Sequence, residues 1–110
     1  MLKRYQLPAC PIETALIMMG DRWKVLIVQE LLTGTKRFGE LKKSLTGISQ
    51  KTLTEHLRIL EEHELVNRKT YAEIPPKVEY SLTDSGTNLK LILDAMWKWG
   101  EEYQRKVKQK

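Results

Sequence analysis

The stretch from Ile48 to Val66, ISQKTLTEHLRILEEHELV, constrains this chain more than any other, because a helical period runs through it and gives way at its end to alternation of period two. Leu53, Leu57 and Leu60 recur at helical spacing and form one stripe that must be buried against other helices. Ser49, just ahead of them, carries a hydroxyl that can accept a hydrogen bond from an orphan amide of the first turn, and is the expected N-cap. Opposite the leucines the same period places Lys51 and Arg58, with Gln50 and Thr54 on the flank nearest the helix start. Packing needs none of these four. Amides, cations and hydroxyls are the groups that hydrogen-bond to base edges and phosphates, so the outer face, with Ser49 at its start as a further candidate DNA contact, suits a major groove.

What surrounds the stretch turns an amphipathic helix into a motif. Upstream, Phe38 and Leu41, the basic pair Lys42 and Lys43, and then Gly47 read as a shorter helix from about Gly39 to Leu45 that ends in a tight turn, which is helix-turn-helix grammar. Downstream, VNRKTY alternates loosely, while KVEYSLT puts Val78, Tyr80 and Leu82 on one face. The intervening AEIPP holds two prolines, which donate no ladder hydrogen bonds and mark a hairpin loop. A helix-turn-helix followed by a hairpin predicts an α+β, mainly α, fold: a winged helix-turn-helix with a two-stranded wing and dimerisation helices at both ends.

One domain spanning residues 1–110 accommodates this, with an arm over Met1 to Ala9 that ends near Pro8. Pro11 suits the first position of a helix and Glu13 puts a negative charge in its first turn. That helix runs to Met19 with Ile12, Ala15, Leu16 and Met19 as its stripe, and Gly20 closes it. Asp21 caps a second, more apolar helix, in which Trp23, Leu26, Ile27, Val28 and Leu31 are core candidates, before Gly34 ends it. Thr83 and Asp84 offer caps to a last helix from about Ser85 to beyond Tyr103, followed by a basic tail to residue 110. Leu89, Ile92, Leu93, Met96, Trp99 and Tyr103 keep near-heptad spacing there. A helix of this length overshoots so small a core, so its seam, widened by Trp97, is expected to pack on a second copy. The expected homodimer interface comprises Ile12, Leu89, Leu93, Met96, Trp97 and Tyr103.

Composition narrows the function. Nineteen Lys and Arg against 14 acids give a net charge of +5, which favours a polyanionic partner over an acidic substrate. Arg68, Lys69 and Lys77 flank the wing, where they can neutralise phosphates. Glu55 works against phosphates unless it faces a cytosine amino group or pairs with Arg58. No apolar run approaches the ~20 residues that span a bilayer, and the N-terminus lacks a signal-peptide pattern, so the expected location is the cytoplasm, at the nucleoid. A single cysteine excludes an internal disulfide, and with two histidines it cannot build a closed zinc site. No metal or other cofactor is expected. Cys10 stands at a helix start but no histidine follows at a spacing that suggests a dyad, so no enzyme activity is expected.

CPIETAL from Cys10, GDRWKVLIVQEL from Gly20, RFGEL from Arg37, GISQKTLTEHLRILEEHELV from Gly47 and PPKVEYSLTDSG from Pro75 together make the chain resemble the HxlR-type transcriptional regulators, small dimeric winged helix proteins related in architecture to the MarR group. The resemblance covers nearly the whole chain. It implies sequence-specific binding to a pseudo-palindromic double-stranded DNA operator as a homodimer, with the Ile48 to Val66 helix in the major groove and the Tyr71 to Lys77 hairpin as wing. Some members of the family sense oxidants or electrophiles through a cysteine near the N-terminus, and Cys10 aligns with that position. No residue pattern defines a small-molecule inducer. The sequence departs from the family pattern after Glu62, where His63 and Glu64 replace a small residue and glycine, so the turn into the wing is expected to differ. The competing reading, a winged helix that serves as a protein-interaction module, would need an apolar outer face where this chain has Lys51, Thr54 and Arg58.

Overall fold

The computed structural model describes residues 6–109; most of the expected N-terminal arm, residues 1–5, lies outside the described residues, as does Lys110. In chain order the elements are α1 (Pro11–Met19), α2 (Arg22–Leu31), β1 (Lys36–Arg37), α3 (Phe38–Ser44), α4 (Gln50–Glu62), β2 (Val66–Tyr71), β3 (Lys77–Leu82), α5 (Asp84–Asn88) and α6 (Lys90–Lys108). Leu53, Leu57 and Leu60 of α4 meet Ile27, Val28 and Leu31 of α2 and Leu41 of α3 in one buried cluster, which Leu65, Val66 and Tyr80 close from the sheet side. Burying whole leucine and isoleucine side chains contributes about 1.5–3 kcal/mol each, so this cluster fixes how α4 is presented.

Local chemistry sets the helix boundaries. Asp21 Oδ1 accepts hydrogen bonds from the Trp23 and Lys24 amides at 2.8 and 3.3 Å and starts α2. Ser49 Oγ accepts from the Thr52 amide at 3.1 Å and starts α4. Between α3 and α4 the turn places Gly47 at φ 90, a backbone conformation that costs side-chain-bearing residues free energy and glycine little.

The end of α4 resolves the departure at His63 and Glu64. The Leu65 amide donates to Leu60 O at 2.9 Å and the Glu64 amide to Glu61 O at 3.0 Å, the two bonds of a Schellman motif, with Glu64 in the left-handed position at φ 59. The turn is therefore one that glycine fills without strain, with a glutamate in the left-handed place. Because the left-handed conformation costs an L-residue roughly 1–2 kcal/mol, Glu64→Gly should raise stability by about 1 kcal/mol despite the greater flexibility of the unfolded glycine chain. Urea denaturation checks this, and a destabilised variant would show that the Glu64 side chain matters more than its backbone.

Three features differ from the sequence expectation. The wing is part of a three-stranded antiparallel sheet of order β1-β3-β2, because Lys36 and Arg37 pair with Tyr80 and Glu79; a two-residue strand has no periodicity to read. The last helix is not continuous: Thr83 Oγ1 accepts from the Gly86 amide at 3.0 Å to cap a short α5, and the Leu89 amide turns back to Gly86 O at 3.1 Å before α6 begins. At that break Leu89, expected on the dimer interface, is 8% exposed and belongs to the core of its own chain. Leu93 is half-buried against the same core.

Several apolar positions at the two ends are uncovered. Met19 is buried, but Ile12 and Leu16 of α1 are 72% and 62% exposed. Along α6, Leu91, Met96, Trp97, Trp99, Tyr103 and Val107 are exposed, and the Trp99 and Tyr103 rings stack at 5.1 Å.

Candidate nucleic-acid interface

Gln50, Lys51, Thr54, Glu55 and Arg58 line one open concavity of about 470 Å³ on the outer face of α4, and all five are exposed. The helical period brings them together as expected, while the leucine stripe on the other side holds the helix in place. Two hydroxyls are partly committed. Ser49 Oγ, besides capping the helix, donates to Thr52 Oγ1 at 2.9 Å. Thr54 Oγ1 donates to Gln50 O at 2.8 Å, so toward a base it offers its oxygen as an acceptor and its methyl as an apolar contact. Glu55 forms no ion pair with Lys51 or Arg58 among the described residues, which leaves both cations available to an anion.

His56 fixes the orientation of this face. Its Nδ1 lies 2.8 Å from Thr52 O and its Nε2 3.0 Å from Asp21 Oδ1. Both partners only accept, so the two bonds form together when both ring nitrogens carry protons. Burial works to raise the Asp21 carboxyl, but hydrogen bonds from His56 and from the Trp23 and Lys24 amides outweigh it and hold the group below its ordinary value. One carboxylate thus caps α2 and ties α4 to it. His56 is a structural latch; among the described residues no group of three or more His, Cys, Asp or Glu could hold a metal ion.

The three wing cations separate onto two faces. On β2, Val66, Arg68 and Thr70 share the side of Leu82, Tyr80 and Val78, their partners across the ladder. Arg68 lines a polar cleft with Glu61, Glu64 and Asp84, surroundings that compete with a phosphate for its guanidinium. Lys69 and Tyr71 lie on the opposite face with Lys77 and Glu79. There the Lys69 and Lys77 ammoniums sit 4.9 and 4.8 Å from the Tyr71 ring centroid, and Lys77 Nζ is 3.5 Å from Glu79 Oε2. Sequence reading missed Arg37, which β1 brings directly opposite Glu79; an arginine between two short segments carries no signal of its own. Cys10 is exposed at the N-cap of α1.

Comparison with known proteins agrees with this geometry. Residues 18–108 match the profile of the family described as HxlR-like helix-turn-helix. The chain is 42% identical over 98 residues to YdeP, an uncharacterized HTH-type transcriptional regulator of Bacillus subtilis (strain 168), covering 89% of this chain and 77% of that protein. The redox regulator HypR in its reduced form superposes with a TM-score of 0.84 at 38% identity, over 92% of this chain and all (100%) of that one. The reduced form of the transcriptional regulator YodB from B. subtilis gives 0.79 at 40% identity, over 87% and 95% of the two chains. With the family profile matched over residues 18–108 and a relative 42% identical over 98 residues, the chain belongs to the HxlR-like helix-turn-helix family.

Proposed function

We propose that the protein is a sequence-specific DNA-binding transcriptional regulator that acts as a homodimer on a pseudo-palindromic operator. The observation that carries the reading is the exposed set of Gln50, Lys51, Thr54 and Arg58 on one face of a helix whose other face is locked in the core. A protein-interaction module would need apolar residues there. In this reading α4 enters the major groove, Lys69 and Lys77 on the wing meet backbone phosphates, and two-fold symmetry spaces the half-sites by one helical turn or a multiple. The uncovered apolar residues Ile12, Met96, Trp97, Trp99 and Tyr103 supply the dimer contacts.

A titration with DNA from upstream of the gene tests it. Lys51→Ala should lose roughly 1–3 kcal/mol of discrimination between operator and random duplex, while weak binding to random duplex survives. Equal loss on both DNAs would move Lys51 to a phosphate contact, and no binding of the wild type to either would end the DNA reading.

Cys10 gives this regulator a redox input. It is exposed at a helix start, where amide dipoles favour a thiolate, and two solved relatives are described as a redox regulator, HypR, and as YodB treated with diamide. As the only cysteine of the chain, it can pair with Cys10 of a second subunit or be capped by a small thiol. Diamide should weaken operator binding by the wild type and leave Cys10→Ser unaffected; equal affinities after treatment would make Cys10 structural.

A further inference from the structure

The strand order β1-β3-β2 puts Arg37, Glu79 and Lys69 in a single row, one from each strand, with Lys77 and Tyr71 in the neighbouring pair on the same face. Glu79 is the one acid in this group. Tyr71 shares its face and, through its hydroxyl, is the first cause that holds the carboxyl below its ordinary value, Lys77 approaches it at 3.5 Å, and Arg37 stands across the ladder. Lys77 and Glu79 side chains are 28% and 25% exposed, so this pair is partly shielded, while Arg37 and Lys69 beside it are exposed. An ammonium beside the carboxylate, a phenol hydroxyl on the same face and a guanidinium across the ladder also make up a donor set that suits a phosphate.

We propose that Glu79 is an internal phosphate mimic, which occupies the anion cradle of the wing and must yield Lys77, Tyr71 and Arg37 before a DNA phosphate can take its place. This rests on the DNA-binding reading above and adds a residue that restrains it. A cation already neutralised by a carboxylate has few counterions to release on binding DNA, so it adds little to affinity and to salt dependence. The restraint acts on any duplex that the wing meets through its phosphates, operator and random DNA alike. Operator binding adds the base contacts of α4, so Glu79 lowers both affinities and leaves sequence discrimination to that helix. The lowered carboxyl of Glu79, which follows first from the Tyr71 hydrogen bond and then from Lys77 and Arg37 against opposing desolvation, fits a group held ionised in this role.

Glu79→Gln tests the proposal with little risk to the fold, because the amide oxygen can still accept from Tyr71 and Lys77. Fluorescence anisotropy with a random 20-base-pair duplex and with operator, over a KCl series, is the measurement. Glu79→Gln should bind random duplex and operator each about three- to tenfold more tightly and steepen the salt slope by about one unit on both. Glu73→Gln serves as control: Glu73 is an exposed acid of the hairpin loop, so it removes the same charge without releasing a tethered cation and should change binding far less. Adding Lys77→Ala to Glu79→Gln should abolish the gain. Unchanged or weaker binding by Glu79→Gln, or equal gains from Glu73→Gln, would overturn the mimic while leaving DNA binding intact; a wild type that binds neither duplex would remove the underlying reading instead.

Discussion

Trp99→Glu should yield a monomer at micromolar concentration and reduce operator affinity by a hundredfold or more. Trp99 lines an apolar groove with Leu91, Ile92, Ala95 and Met96, and it is 66% exposed in the single chain, so the substitution costs the subunit itself little. In a two-fold dimer each substitution is felt in both copies, and each buried carboxylate without a partner costs several kcal/mol. Two linked half-site contacts gain about 10²–10⁴ in avidity over one, and a monomer forfeits that gain. The position matters. Leu93→Glu would give an ambiguous result, because Leu93 also packs on the core of its own chain and a monomer could then arise from partial unfolding. Trp97→Glu is the informative companion, since two residues along a helix turn the side chain by about 200° and report on a different face. Light scattering and operator titration of both variants locate the seam, and a Trp99→Glu protein that remains dimeric would move the interface off this groove.

Gly86→Ala should destabilise the fold by about 3 kcal/mol, the upper part of the range for overpacking a close-packed site. A Cβ built on Gly86 falls 2.1 Å from Leu65 O and 3.1 Å from Leu82 Cδ2, and the first of these is backbone that cannot swing aside. Opposing this, alanine is better than glycine in a helix by about 1 kcal/mol. Sterics win because the contact lies at the joint where three segments meet. Thr83 Oγ1 donates to Glu64 O at 2.6 Å, the Thr83 amide donates to Leu65 O at 3.1 Å, and Gly86 itself caps onto Thr83. Moving Leu65 O away from a new methyl would break the bond that carbonyl accepts and disturb the start of β2. Chemical denaturation at fixed protein concentration measures the effect. Ser85→Ala, at the exposed neighbouring position, should stay within about 0.5 kcal/mol of wild type. A Gly86→Ala variant as stable as wild type would show that the joint is looser than its contacts imply.

The residues of α4 illustrate what the sequence by itself determined. Leu53, Leu57 and Leu60 are buried and Lys51, Thr54 and Arg58 exposed, because a 3.6-residue period assigns each side chain to a face before any tertiary contact forms. Ser49, Asp21 and Thr83 cap where expected since capping is a contact between near neighbours in the chain. The strands Val66–Tyr71 and Lys77–Leu82 were equally legible from alternation and the prolines between them.

Tertiary structure alone decided the rest, through strand pairing and packing that no periodicity announces. Arg37 gained significance only when β1 paired with β3 across more than 40 residues, a pairing that two residues cannot announce. Leu89 carries the same heptad spacing as Met96, yet the break between α5 and α6 sends it into the core of its own subunit and leaves Met96 in the groove. Lys77 and Arg68 look alike in the sequence as wing cations. Strand pairing gives one to Glu79 and Tyr71 and sets the other beside Glu61 and Asp84. Periodicity tells which face a side chain occupies; only the packed chain tells what already stands on that face, and so which charges are free to meet DNA.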